Sequence, residues 1–364
     1  MSEISSPSSV SIEKKDFGLL SDGRKADLFT LKSATGSISI TNYGGIITSI
    51  VIPDRQGELA DVVLGYDNVA QYELDTYYLG AVIGRYAGRI KHGKITINGK
   101  EFQLAMNAPD SQLHGGKQAL NKQLWDAESK QQPNAAQLIL CYTSPDGEEG
   151  FPGTVDFKVI YTFDDNNCLS VEYFAQSDQD TVINLTQHSY FNLNGHASGN
   201  IHDHQVQIST PYYLPMNEQA YPTGEVCNTK NTPLDFTSYR TIGDDVDSNH
   251  PQTVIGHGYD NYWVFEDSFD HDNQFSALLV APHSGRRLTI YTDQPSIILY
   301  TANYIDGSHV GKDNYRYQKR AALCLEPQRA VDIHGCNNFT TTLLQSNSAF
   351  YSKTSYHFDV TIKD

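Results

Sequence analysis

Val155-Asp156-Phe157-Lys158-Val159-Ile160-Tyr161-Thr162-Phe163, then Asp164-Asp165-Asn166-Asn167, then Leu169, Val171, Tyr173 and Ala175 in alternation, is the stretch whose reading decides the fold. Val155, Phe157, Val159, Tyr161 and Phe163 recur every second residue, which puts them on one face of an extended chain. The Asp-Asp-Asn-Asn run supplies turn chemistry between two such segments, so the stretch predicts a β-hairpin. A second hairpin is expected at Lys94 to Leu104, where Asn98-Gly99 provides the positive φ angles of a tight turn. Tyr356, Phe358, Val360 and Ile362 share one face of an expected last strand. Further strands are expected at Ser37–Ile40, Ile46–Ile52, Gln137–Cys141, Thr181–Phe191, Gln205–Ile208, Ala277–Ala281, Leu288–Tyr291, Ile297–Thr301 and Ala321–Leu325. Helical periodicity is nearly absent, with one or two turns expected within Asn68 to Leu79. Many short strands with polar turns imply an all-β sandwich or barrel.

The 364 residues allow one large domain or two smaller ones. No fixed-period repeat and no Pro/Gly/Ser linker divides the chain, so one β domain over 16–364 is expected. The Ser-rich segment 1–15 has no apolar run and is expected to be a flexible tail rather than a signal peptide or anchor. With 26 basic and 43 acidic residues the net charge is −17. Such a surface repels polyanions and argues against nucleic acid as a partner. Five cysteines without a CxxC pair suggest reduced, mostly buried thiols in a cytoplasmic protein. No apolar run reaches membrane-spanning length.

Four segments look unlike ordinary strand or turn sequence. In Gly84-Arg85-Tyr86-Ala87-Gly88-Arg89-Ile90 either arginine could aim a guanidinium at a sugar hydroxyl or carboxylate, or both could be solvated. In Leu113-His114-Gly115-Gly116 the glycines would let backbone approach a ligand closely, although a lone loop His is more often a surface residue. In Asn184-Leu185-Thr186-Gln187-His188-Ser189-Tyr190-Phe191 the period of two places Asn184, Thr186, His188 and Tyr190 on one face. Leu185 and Phe191 fall on the other, an arrangement suited to a cleft wall. In Ala321-Ala322-Leu323-Cys324-Leu325-Glu326-Pro327-Gln328 a single carboxylate ends an uncharged strand. Partial burial there would raise its pKa above about 4.3 and make it a better base, but a plain strand-end Glu is equally compatible. Gly258-Tyr259-Asp260 and Tyr291-Thr292-Asp293-Gln294-Pro295 each set polar side chains near aromatic ones. His202-Asp203-His204 is read as a solvated turn rather than a pair of metal ligands. Met216 to Pro251, the least regular segment, is expected to border a ligand cleft.

Together these segments, with Asn42-Tyr43-Gly44-Gly45, Gly65-Tyr66-Asp67 and Thr186 to Leu193, resemble the galactose mutarotase (aldose 1-epimerase) family. The resemblance covers almost the whole chain, and the order of its motifs is specific. It implies a large antiparallel β-sandwich with a sugar in an open cleft on one sheet. It further implies Glu326 as general base, His188 as general acid and His114 as a second active-site histidine. Arg89, Asp260 and Gln294 match residues that bind sugar hydroxyls. Gly88 stands where the family commonly has Asn, which removes one side-chain hydrogen-bonding group. The implied reaction interconverts the α- and β-anomers of a free aldose, with no cofactor and no metal. The open alternatives are a hexose-6-phosphate epimerase of the same fold, a glycoside hydrolase and a non-catalytic carbohydrate-binding protein. Monomer and homodimer are both compatible with the sequence.

Overall fold

A computed structural model of the chain describes residues 10–330 and 342–361. Ile362, Cys336 and residues 1–9 of the expected tail lie outside them. The deciding hairpin forms as read: Val155–Asp164 pairs antiparallel with Cys168–Ser177, Phe163 opposite Leu169. It sits inside a nine-stranded sheet, which runs Asp126–Gln131, Ala135–Ser144, Val155–Asp164, Cys168–Ser177, Ala349–Val360, Arg286–Thr292, Ala277–Val280, Gln205–Ile208 and Arg240–Thr241. A six-stranded sheet runs Tyr190–Phe191, Leu323–Gln328, Ser296–Tyr300, Asp260–Val264, Tyr212–Leu214 and Cys227–Asn228. The ladders of both sheets are antiparallel.

The two sheets face each other across one apolar core. Leu138, Val159, Val171, Ile290 and Tyr356 come from the larger sheet, and Phe191, Leu323, Leu325, Ile297, Leu299 and Trp263 from the smaller. A five-stranded meander from Ser11–Leu19 to Leu59–Asp61 adds Phe29, Leu31, Ile38, Ile40, Ile50 and Ile52 to the same core. The protein is a β-sandwich with little helix. The helical turn expected within 68–79 is Val69–Leu74, capped by the Asn68 side chain on the Gln71 N–H. No helix among the described residues is long and apolar enough to cross a membrane.

Three expectations are corrected. Ser11 to Lys15 belong to a strand rather than a tail, because Ile12 packs on the core and Glu13 and Lys14 pair with Lys32 and Asp27 on the adjacent strand. Thr181–Phe191 is not one strand. It has three successive partners, pairing first with Leu343–Leu344, then with Val82–Ile83, then with Leu323–Cys324. Its alternation survives, with Ile183, Leu185 and Phe191 in the core. The four described thiols are free, but only Cys324 is fully buried and Cys141 is exposed.

Candidate active site

Sheet register explains why residues distant in sequence meet. Tyr190 lies opposite Cys324, so continuing that antiparallel register by two residues sets position 188 beside position 326. Tyr300 and Ile298 pair with Cys324 and Glu326, and Asp260 and Tyr262 pair with Tyr300 and Ile298. All these residues lie on the face of the six-stranded sheet that points away from the shared core. That face floors an open cleft. Its walls are loops carrying Tyr78, Gly88, Arg89, His114 and Tyr304, with Met216, Ala220 and Pro222 from the irregular segment, as expected of it.

His188 and Glu326 are both buried, with Nε2 of the imidazole 3.6 Å from Oε1 of the carboxyl. Tyr190 stacks on the His188 ring at 5.0 Å between centroids, and His114 meets it edge-on at 5.4 Å. The Tyr190 hydroxyl is itself tied to the Tyr77 carbonyl at 2.8 Å. Burial, reinforced by the negative charge of Asp260, pushes the Glu326 carboxyl well above the usual carboxylate range. Burial pushes His188 the other way, down to about 4. That lies below the ordinary imidazole value of about 6.5. Desolvation penalises both charged forms, so burial favours a protonated Glu326 beside a neutral His188.

His114 is placed by a short ladder in which Leu113 lies opposite Arg89. The Gly88 N–H donates to His114 Nδ1 at 3.3 Å, which leaves the proton on Nε2. Burial, with the charges of His188 and Arg89 adding to it, holds this imidazole neutral. The two following glycines serve backbone packing rather than a ligand. A Cβ at Gly115 would lie 2.1 Å from the Gly84 carbonyl oxygen, and one at Gly116 would strike the Glu149 carboxylate.

Arg89 and Asp260 both line the cleft. Burial raises the Asp260 carboxyl to about 6 against the opposing pull of Arg89. At neutral pH it is an anion able to accept hydrogen bonds from a polyol. Asp260→Asn replaces the anionic acceptor with a neutral amide and removes the charge that raises Glu326. The expected result is a higher KM, together with an alkaline limb of the pH–rate profile moved to lower pH, measurable by initial rates across pH.

Gln294 is not brought to this cleft. It occupies the turn between Arg286–Thr292 and Ser296–Tyr300, at the end of its strand remote from Tyr300, and its amide donates to Asp293 at 3.0 Å. There it lines a separate depression with Phe265, Asp293 and Arg329. Arg85 is likewise structural: it is buried and donates to Ser144 and to the carbonyls of Pro145, Pro152 and Gly153. His204 is buried rather than solvated, held between Asp203 and the Leu193 N–H. Among the described residues, the group of His, Cys and acidic side chains close enough to hold a metal is His188, Cys324 and Glu326, within 4.8 Å of one another.

Sequence reasoning missed Tyr78 and Tyr300. Tyr78 follows a turn built on Asp75, whose carboxylate accepts the Tyr77 and Leu79 N–H groups. An Asp two and four residues before those amides was the available signal.

Three comparisons place the chain among known proteins. A family model described as aldose 1-epimerase matches residues 27–357. The galactose mutarotase of Mus musculus is 38% identical over 352 residues, covering 96% of this chain and 99% of that protein. The aldose 1-epimerase of Escherichia coli K12 is 30% identical over 291 residues, covering 80% and 82%. In fold, the chain is similar to the crystal structure of a galactose 1-epimerase from Lactobacillus acidophilus, with a TM-score of 0.85 at 24% identity, covering 97% and 99%.

Proposed function

The chain belongs to the aldose 1-epimerase family, and on that premise we propose that it interconverts the α- and β-anomers of free aldohexoses such as galactose and glucose, with Glu326 and His188 as its acid–base pair. The observation that supports this choice of residues is the buried contact of 3.6 Å between His188 Nε2 and Glu326 Oε1 on the cleft floor. The anomeric hydroxyl oxygen and the ring oxygen O5 are bonded to the same carbon, C1. Two proton-transfer groups this close together therefore address both.

In the reactive form the pair's single proton is on His188. The Glu326 carboxylate takes the proton from the C1 hydroxyl while the imidazolium gives its Nε2 proton to O5. The C1–O5 bond breaks, C1 becomes an aldehyde carbon and O5 a hydroxyl. Rotation about C1–C2 presents the other carbonyl face, and O5 attacks it. The O5 proton returns to His188 and the Glu326 proton goes to the new anomeric oxygen. After ring opening Glu326 is protonated and His188 neutral, which is the state burial favours. Proton transfer thus discharges two ions held in a poorly solvated place, and that assists opening. Neutral His114 donates from Nε2 toward a sugar oxygen, and Arg89 and Asp260 hold hydroxyls.

A single proton on the pair also predicts the pH dependence. Activity is lost in acid when a second proton binds His188, near pH 4 rather than near 6.5. It is lost in alkali when the pair gives up its proton, at a pH well above the carboxylate range because Glu326 is raised. Initial rates of kcat/KM across pH check both limbs.

Among the described residues lining the cleft Arg89 is the one Lys or Arg, so a phosphorylated hexose finds little compensating charge there. We place the enzyme in the cytoplasm, a reading supported by its free thiols. The test is polarimetry on freshly dissolved α-galactose and α-glucose, with free and 6-phosphorylated hexose as competitors. Enzyme-accelerated relaxation, inhibited by the free sugar alone, supports the proposal. Relaxation at the buffer rate, or inhibition by the phosphate ester alone, overturns it.

A further inference from the structure

Cys324 is a buried nucleophile that the reaction above does not use. It lies two residues before Glu326 on Leu323–Gln328 and so shares its face of the sheet. Its Sγ is 3.5 Å from His188 Nδ1, within reach of a sulfur hydrogen bond, while Nε2 on the other edge of the ring faces Glu326. Both edges of the imidazole are therefore occupied by side chains of one strand. Its faces and flanks are occupied by Tyr190, Tyr78, Tyr300 and His114.

We infer that Cys324 is a positioning residue whose sulfur accepts the His188 Nδ1–H, holding the tautomer in which Nε2 is the nitrogen that gains and loses the proton. The inference rests on the reading of His188 as the general acid. Its chemical basis is that a histidine's reactive nitrogen is set by the hydrogen bond made at the other. In the imidazolium both nitrogens carry hydrogen, and Nδ1–H points to sulfur. After Nε2 has released its proton to O5, the same Nδ1–H···S contact persists and the bare Nε2 lone pair is ready to recover it. A carboxylate at this place would also fix the ring, but it would stabilise the imidazolium and weaken it as an acid. A thiol sulfur is a weak acceptor, so it orients the ring while leaving its proton easily lost. Burial pushes the Cys324 thiol well above its usual range, so no thiolate forms there to act as that stronger partner. Besides those tyrosines, the described ionisable groups facing the ring are Glu326 from the same strand and His114 from its loop, with Asp260 and Arg89 farther along the cleft.

The most direct test is the ¹⁵N spectrum of histidine-labelled wild-type protein at neutral pH, with the His188 signals assigned by their loss in His188→Asn. The expected result is a protonated Nδ1 and an unprotonated Nε2. The reverse pattern overturns the inference while leaving the acid–base reading in place, since that reading fails separately, through unchanged rates in His188→Asn. Two variants add a kinetic readout. Cys324→Ala is expected to lower kcat on the order of 10–100-fold, the range seen when a partner that orients a functional histidine is removed, with little change in KM. Cys324→Ser restores an acceptor, so kcat recovers in part. Its oxygen binds Nδ1–H more strongly than sulfur does, so the acid limb of the pH profile moves to higher pH. A Cys324→Ala enzyme with wild-type kcat overturns the inference. So does a Cys324→Ser enzyme with the pH profile of wild type.

Discussion

Replacing Glu326 with Gln is expected to slow relaxation of a fresh α-sugar by about 10²–10⁴-fold, the usual contribution of one positioned base, while the melting temperature stays level or rises. The amide keeps the shape of the carboxyl but cannot accept the C1 hydroxyl proton. Its effect on stability follows from burial. Glu326 is 2% exposed, and its Oε2 has no hydrogen-bond partner among the described residues. Its folded-state pKa is raised above its unfolded value. Such a group favours the folded state most strongly below its unfolded pKa, and that stability is lost as pH rises toward the folded value. At neutral pH the side chain therefore works against folding, and Gln relieves the penalty. Polarimetry gives the rate and calorimetry the melting temperature. A variant that is slow only because it is partly unfolded would show a lowered melting temperature instead.

Substituting His188 by Asn is expected to cost a similar factor of about 10²–10⁴, through loss of the acid that protonates O5. Asn is polar and small enough for the site but offers no dissociable proton. This variant also removes the stacking on Tyr190 and the edge contact with His114. A modest fall in melting temperature accompanies the rate loss, in contrast to Glu326→Gln. Its acid limb near pH 4 should disappear, because the group that takes the second proton is gone. Initial rates between acid and neutral pH test that directly.

The fold was legible wherever local alternation carried it. Val155 to Ala175 announced a hairpin, and Asn98-Gly99 takes the positive φ angles of a tight turn, 51° and 79°. Thr181–Phe191 shows where that reading stopped. Alternation told which side chains share a face, but the three successive strand partners are segments far away in the chain. The strand within the expected tail was hidden for a related reason: of the described residues 10–15 Val10 and Ile12 pack on the core, and the ion pairs of Glu13 and Lys14 hold the edge.

Site residues divided in the same way. Glu326 and His188 stood out by chemistry, but their adjacency comes from the Tyr190–Cys324 register, which no local pattern contains. Arg85 and Arg89 were indistinguishable by local pattern, and the family resemblance alone singled out Arg89. A buried set of carbonyls takes the first, while the Arg89–Leu113 pairing turns the second to the cleft. Gln294 matched by motif order, yet its turn lies at the wrong end of a strand that does reach the cleft.

The central claim is that Glu326 and His188 act as one proton-transfer unit. The measurement that tests it most directly is the relaxation rate of α-galactose with Glu326→Gln, His188→Asn and the double variant, each corrected for its melting temperature. Groups that act as a unit lose their contribution once, so the double variant should be about as slow as the slower single variant. Losses that multiply in the double variant, or single variants that relax the sugar as fast as wild type, would contradict the account.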